Sequence, residues 1–267
     1  MKTLHLPPEM LSMIVRQTSS KDTSHLYKLC LCSRFLQIEA ERVLYRNVII
    51  AHHSSTSIAK LRCTTTCYRL AGYVHRLDLR CLGLTGLYTG GDVDEQLLAD
   101  IRTAFPYMQR LKALSLPTQI ITSLYLIPPP NCPFQLRYLK FSEPRPHGTF
   151  RADIITFMQA QLAIENLSAQ FSGPLDPFPA SFFPHLTTLK TETKAAACLL
   201  RGRSVKRLCI TDYEADTSSE GQETLQVLSI NFARLNAYLS CFAILRYLQT
   251  ETGFVSAILT LETQTVF

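Results

Sequence analysis

The chain has 267 residues, 46% of them hydrophobic and 18% charged, a globular composition that excludes wholesale disorder. Its formal net charge is +6, and the basic residues are scattered with no block of five like charges, so charge points neither to nucleic acid nor to a membrane surface. No apolar run approaches the ~20 residues of a bilayer-crossing helix: Leu11–Val15 is short, and Pro128, Pro129 and Pro130 cut off Leu124–Ile127.

The N-terminus carries one Lys and then Pro7 and Pro8, with no apolar stretch of the secretory kind, so the expected compartment is cytosol or nucleus. The nine Cys fit that compartment. Their number is odd and their spacing gives no disulfide framework, so they are expected reduced.

Leu6, Pro7, Pro8 and Glu9 open a helix. Pro at a first helical position loses only an N–H that has no partner there, and Glu9 suits the positive end of the helix dipole. Met10, Leu11, Ile14 and Val15 follow at helical spacing, and Gln17 to Thr23 read as a loop. Asp22, Thr23 or Ser24 can cap a second helix carrying Leu26, Leu29 and Cys30. A third, from Phe35 to Tyr45, places Phe35, Ile38, Val43 and Leu44 on near-helical spacing. Three such helices bury too little surface to be robust alone and need the rest of the chain or another protein. Val48–Ile50 reads as a strand, and a helix is possible over Ser57–Leu70.

From Val74 a pattern recurs: an apolar residue, two variable positions, Leu, one variable position, then usually an apolar residue. Its central Leu residues are 77, 114, 139, 167, 189, 208, 228 and 248, with a weaker ninth unit over Ile258–Val266. The gaps are 37, 25, 28, 22, 19, 20 and 20 residues, mostly within or near the range of leucine-rich repeats. The Leu-x-apolar step has the period of two of a strand. Strands this short share one apolar layer only when stacked in parallel. Asp94–Ala104, Asp153–Leu162, Lys194–Arg201 and Asn231–Cys241 read as the returning helices, and most prolines fall between strands.

The N-terminal segment resembles an F-box. The resemblance is carried by Leu6-Pro7-Pro8-Glu9-Met10-Leu11 with Ile14, by Leu26 and Leu29 running into Cys32-Ser33-Arg34-Phe35, and by Ala40-Glu41 with Leu44-Tyr45-Arg46. It departs at Cys32, where Val is common, and in having no Trp. The following region looks like the irregular leucine-rich repeats that accompany F-boxes in fungi, especially mushroom-forming species. The expected architecture is therefore α/β: a three-helix F-box over 4–50, then a solenoid of parallel strands over 51–267 that binds a protein target. The resemblance implies a substrate-recognition role in a Skp–cullin–F-box ubiquitin ligase, without chemistry of its own. The Skp-type adaptor would contact Leu6, Pro7, Pro8, Leu11, Ile14, Leu29, Phe35 and Leu44, sharing those residues with the trio's own core. A scaffold whose helices merely cap the repeats is the alternative.

Other motifs carry less. Cys63 and Cys67, near His52, His53 and His75, make half a zinc pattern with no second pair. Asp92, Asp94 and Glu95 lack the remaining calcium ligands, and Arg201–Arg203 is a single basic tripeptide before a strand. No nucleophile elbow, phosphate loop or zincin motif occurs, so neither an enzyme nor a cofactor is expected. Phe267 ends an apolar strand-like run without a polar cap, as expected of a truncated family member.

Overall fold

A computed structural model describes residues 7–19, 24–50, 55–80, 95–116, 127–142, 148–171, 178–179, 181–200, 203–213, 243–249 and 255–261. The chain is mixed α/β with parallel strands, in two compact units. The first runs from Met1 to Lys112 with Cys132–Phe134, and the second comprises the rest. The sequence boundary expected at residue 50 lies inside the first unit.

The first unit begins with α1 (Pro8–Ser19), α2 (Ser24–Leu29) and α3 (Arg34–Leu44), followed by β1 (Asn47–Ile49), α4 (Ser55–Thr66), α5 (Tyr68–Ala71), β2 (Arg76–Asp78) and α6 (Glu95–Ala104). Ser33 caps α3: its Oγ accepts from the Leu36 N–H at 3.3 Å. The first helix extends two residues beyond Gln17, into the stretch expected as loop. Strands β1 and β2 pair in parallel, Val48 opposite Leu77, both fully buried. Helix α6 turns Leu97, Leu98, Ile101 and Ala104 inward, the i, i+1, i+4, i+7 face expected of it.

Asp78 ends β2 almost fully buried. Arg80 holds it from Nη2 at 2.8 Å and Nε at 2.9 Å, and Arg76 from Nη2 at 3.3 Å. Burial pushes the carboxyl up, but the arginine hydrogen bonds outweigh it and hold the group below its ordinary value.

The second unit holds β3 (Ala113–Ser115), β4 (Tyr138–Ser142), α7 (Gly148–Gln159), β5 (Asn166–Gln170), β6 (Thr188–Thr191), α8 (Thr193–Leu199), β7 (Arg207–Tyr213), β8 (Ala243–Gln249) and β9 (Val255–Leu261). Strands β3 to β7 pair in parallel in chain order. The register sets Leu114 opposite Leu139, Leu139 opposite Leu167, Leu167 opposite Leu189 and Leu189 opposite Leu208. Every one of these leucines is buried, as are the leading residues Leu111, Leu136, Ile164, Leu186 and Val205. The repeat pattern is thus one continuous apolar row within this unit, with Leu116, Phe141, Ala169 and Thr191 two residues further on. Helix α7 adds Ile154, Phe157 and Met158, and α8 adds Ala195, Ala196 and Leu199. Phe171 meets Phe141 edge-on at 5.3 Å.

Polar side chains tie successive turns. Leu136 N donates to Gln161 Oε1 at 2.8 Å, and Leu162 N to Gln135 Oε1 at 3.1 Å. Arg203 is buried, and its guanidinium donates to the carbonyls of Phe182, Leu199 and Pro179 at 2.8, 2.6 and 2.5 Å. The Leu199 carbonyl ends α8, and those of Pro179 and Phe182 lie just before Phe183, whose φ of 51° is in the left-handed region.

The parallel order stops after β7. Strand β9 pairs antiparallel with β7, and β8 antiparallel with β9. The expectation that Leu248 and Ile258–Val266 continue the parallel row is corrected here. Only residues 250–254 separate β8 from β9, and a parallel crossover needs a dozen or more. The units around Leu228 and Asn231–Cys241 lie outside the described residues.

Two outcomes follow from this packing. Leu139→Ala should lose about 2–5 kcal/mol of stability in urea unfolding, whereas Leu162→Ala, at an exposed position, should change it by about 0.5 kcal/mol or less. Asp78→Asn should cost about 1–2 kcal/mol at neutral pH. Because the folded Asp78 carboxyl is held low, its contribution is full above its unfolded value and is lost as pH falls through the folded one. The gap between wild type and variant should therefore close on acidification below about pH 4. A gap that persists there would assign the loss to something other than the charge.

Candidate docking surface on the N-terminal helices

The trio α1–α3 packs pairwise around a small core of Val15, Leu26, Ala40 and Leu44, against which Leu29, Cys30, Leu36, Val43 and Tyr45 lie partly buried. That core uses few of the trio's apolar residues. Met10, Met13 and Ile14 are 50%, 59% and 44% exposed, and their i, i+3, i+4 spacing puts them on one face of α1. Tyr27 on α2, Leu31 in the following turn and Phe35 in the first turn of α3 are exposed too, Leu31 at 89%.

The structure divides the adaptor-facing residues expected from the sequence. Ile14 and Phe35 point outward, Pro7 is exposed before α1, and Leu11 is half-buried. Leu29 packs onto the trio's core and Leu44 lies inside it, 6% exposed, so Leu44 serves the fold. Pro8 begins α1, and Leu6 lies outside the described residues. Met10, Met13, Tyr27 and Leu31 are further exposed apolar groups outside the set expected from the sequence. Met10 and Met13 alternate along α1 with Leu11 and Val15, so the signal was present as a second apolar stripe.

A polar network braces the back of the trio. Ser12 Oγ donates to Glu39 Oε2 at 3.1 Å, and Arg42 pairs with the same carboxylate. Gln37 Nε2 donates to Glu41 Oε1 at 2.9 Å, and Arg69 of α5 pairs with Glu41. Both guanidinium groups sit over the Tyr73 ring, 5.8 and 6.0 Å from its centre. Burial pushes Glu41 up, but the hydrogen bonds from Arg69 and Gln37 prevail and hold it below its ordinary value. Burial, with the Cys63 thiol alongside, pushes the Tyr45 phenol up to about 12. Burial and the Glu41 carboxylate both raise the Cys30 thiol, which therefore stays protonated and unreactive near neutral pH. The network fixes α3 against α5 and leaves the apolar outer face to something else.

The weaker motifs have these positions. Cys63 is exposed and Cys67 half-buried, both free, while His52 and His53 lie outside the described residues. Among the described residues, no group of three or more His, Cys, Asp or Glu is placed to hold a metal ion. Asp92, Asp94, Arg201 and Gly202 also lie outside them, and Glu95 begins α6. Among the described residues, no helix is long and apolar enough to cross a membrane.

Met13→Asp and Ile14→Asp should leave the fold intact, each shifting stability by about 0.5 kcal/mol or less. Leu26→Ala should cost about 2–4 kcal/mol. Urea denaturation of the three proteins checks this; a comparable loss in all three would place Met13 and Ile14 in the core. Comparison of the chain with protein-family models, with curated proteins and with solved structures returned no match.

Proposed function

We propose that the chain is a substrate-recognition adaptor of a Skp–cullin–F-box ubiquitin ligase. In this reading α1–α3 form the F-box and dock onto a Skp-type adaptor in cytoplasm or nucleus. The repeats after them form an irregular leucine-rich-repeat surface for a protein target. The observation that carries it is the apolar outer face of the trio: Met10, Met13, Ile14, Tyr27, Leu31 and Phe35 stand in solvent around a braced core. An exposed apolar group of this kind marks an interaction site more often than a free surface. The contact is expected at Pro7, Leu11, Ile14 and Phe35, joined by Met10, Met13 and Leu31. The mechanism is positioning: holding a target beside a ubiquitin-charged enzyme raises the effective concentration of its lysines.

Pulldown of purified full chain with a Skp-type adaptor tests the proposal. Wild type should retain the adaptor, and Met13→Asp/Ile14→Asp should lose at least tenfold in affinity while keeping its far-ultraviolet circular dichroism. Wild type failing to bind would sink the ligase reading and leave a scaffold in which the helices cap the repeats.

A further inference from the structure

The residues just upstream of the first unit's strands make a second surface. The N–H groups of His75 and Arg76 donate to the Arg46 carbonyl at 2.8 and 3.1 Å, and Lys112 N donates to the His75 carbonyl at 2.9 Å. These bonds level Arg46, His75 and Lys112 on three adjacent chain segments. At the usual lateral spacing of ~4.8 Å, they occupy about 10 Å of one edge. Arg110 stands two residues before Lys112. Arg46, Arg110 and Lys112 are exposed and His75 is half-buried. Among the described residues, no carboxylate pairs with Arg46, Arg110 or Lys112; the nearby Asp78 is held by Arg76 and Arg80. Within a Debye length of ~8 Å such charges add rather than screen one another. His75 registers the sum: burial first, then Arg46, Lys112 and Arg110, push its imidazole below the ordinary value.

The same positions in the second unit behave differently. There Glu165 N and Asn166 N donate to the Arg137 carbonyl, and Thr187 N and Thr188 N to the Glu165 carbonyl. Arg137 and Glu165 form an ion pair at 3.6 Å, and the next such positions are the neutral Thr187 and then Lys206, whose N–H donates to the Thr187 carbonyl. At this edge the second unit thus carries one compensated pair, one neutral residue and the single cation Lys206, while the first unit gathers Arg46, Arg110 and Lys112 with no carboxylate partner among the described residues.

We propose that Arg46, His75, Arg110 and Lys112 form a docking surface for a carboxylate-rich segment of a protein partner. The edge spans two or three side chains of an extended peptide, whose same-face residues recur every ~6.6 Å. It is too short for the stripe of phosphate contacts that nucleic-acid binding uses. The inference rests on the proposed adaptor role only in taking the partner to be a protein.

The test titrates the full chain with a labelled twelve-residue Glu-rich peptide, its Gln counterpart and a single-stranded oligonucleotide, at 50 and 200 mM salt. The Glu peptide should bind at least tenfold more tightly than the Gln peptide, and weaken at the higher salt. Arg46→Glu/Lys112→Glu should reduce that binding at least tenfold. Lys206→Glu/Arg207→Glu, an equal change of charge on the second unit, should leave it unchanged. Equal binding of the Glu and Gln peptides, tighter binding of the oligonucleotide, or an equal loss in both variants would overturn the proposal. Adaptor pulldown with Arg46→Glu/Lys112→Glu should match wild type, which separates failure here from failure of the adaptor role.

Discussion

The second unit depends on one constraint: a leucine at the centre of each short strand is covered along the sheet by the leucines of the strands beside it. Leu114, Leu139, Leu167, Leu189 and Leu208 stand opposite one another in register, and all are buried. A slip of one residue would turn every one of them to the other face. Register, strand order and the inward faces of α7 and α8 are consequences of keeping that row together. The buried Gln161 amide then accepts from the Leu136 N–H, and Arg203 donates to the carbonyls of Phe182 and Leu199, groups that would otherwise lack partners away from water.

That row was legible in the sequence because it has two signals at once. The Leu-x-apolar step has strand periodicity, and its recurrence every 19–28 residues from Leu114 to Leu208 says that the strands are neighbours. Strands β2 to β7 each carry a predicted central Leu. The end of the chain shows where the signal misleads. Leu248 has the same local pattern and spacing, yet β8 enters through a hairpin, because the length of a connection and not the pattern of a strand decides parallel or antiparallel pairing. Arg203 was equally hidden. As part of a basic tripeptide it reads as a surface turn, and only the folded chain brings the carbonyls of Phe182, Leu199 and Pro179 around it.

The N-terminal trio illustrates a different limit. Apolar spacing located all three helices, but α1 has two apolar stripes, and sequence alone does not say which faces inward. Packing chose Val15, leaving Met10, Met13 and Ile14 outside. Similarly, Arg46, His75 and Lys112 are dispersed in the sequence, and backbone pairing brings them level on one edge, with Arg110 close enough to act on His75. Both surfaces belong to the first unit, one apolar and one cationic. A division of labour between them follows from their chemistry, since a partner that buries methionines and one that supplies carboxylates make different demands.

The two units also differ in the kind of polar group each one buries. The first encloses the carboxylates of Glu41 and Asp78, each kept charged by arginine. Among the described residues of the second, the buried polar side chains are Ser115, Gln161, Thr191 and Arg203. Amides, hydroxyls and a guanidinium bound to carbonyls do not change protonation between neutrality and mild acid. The carboxylates of the first unit are held below their ordinary values and keep their charge over that range too, so the two units differ in acid sensitivity only below about pH 4, where the first loses its arginine-paired carboxylates while the leucine row holds.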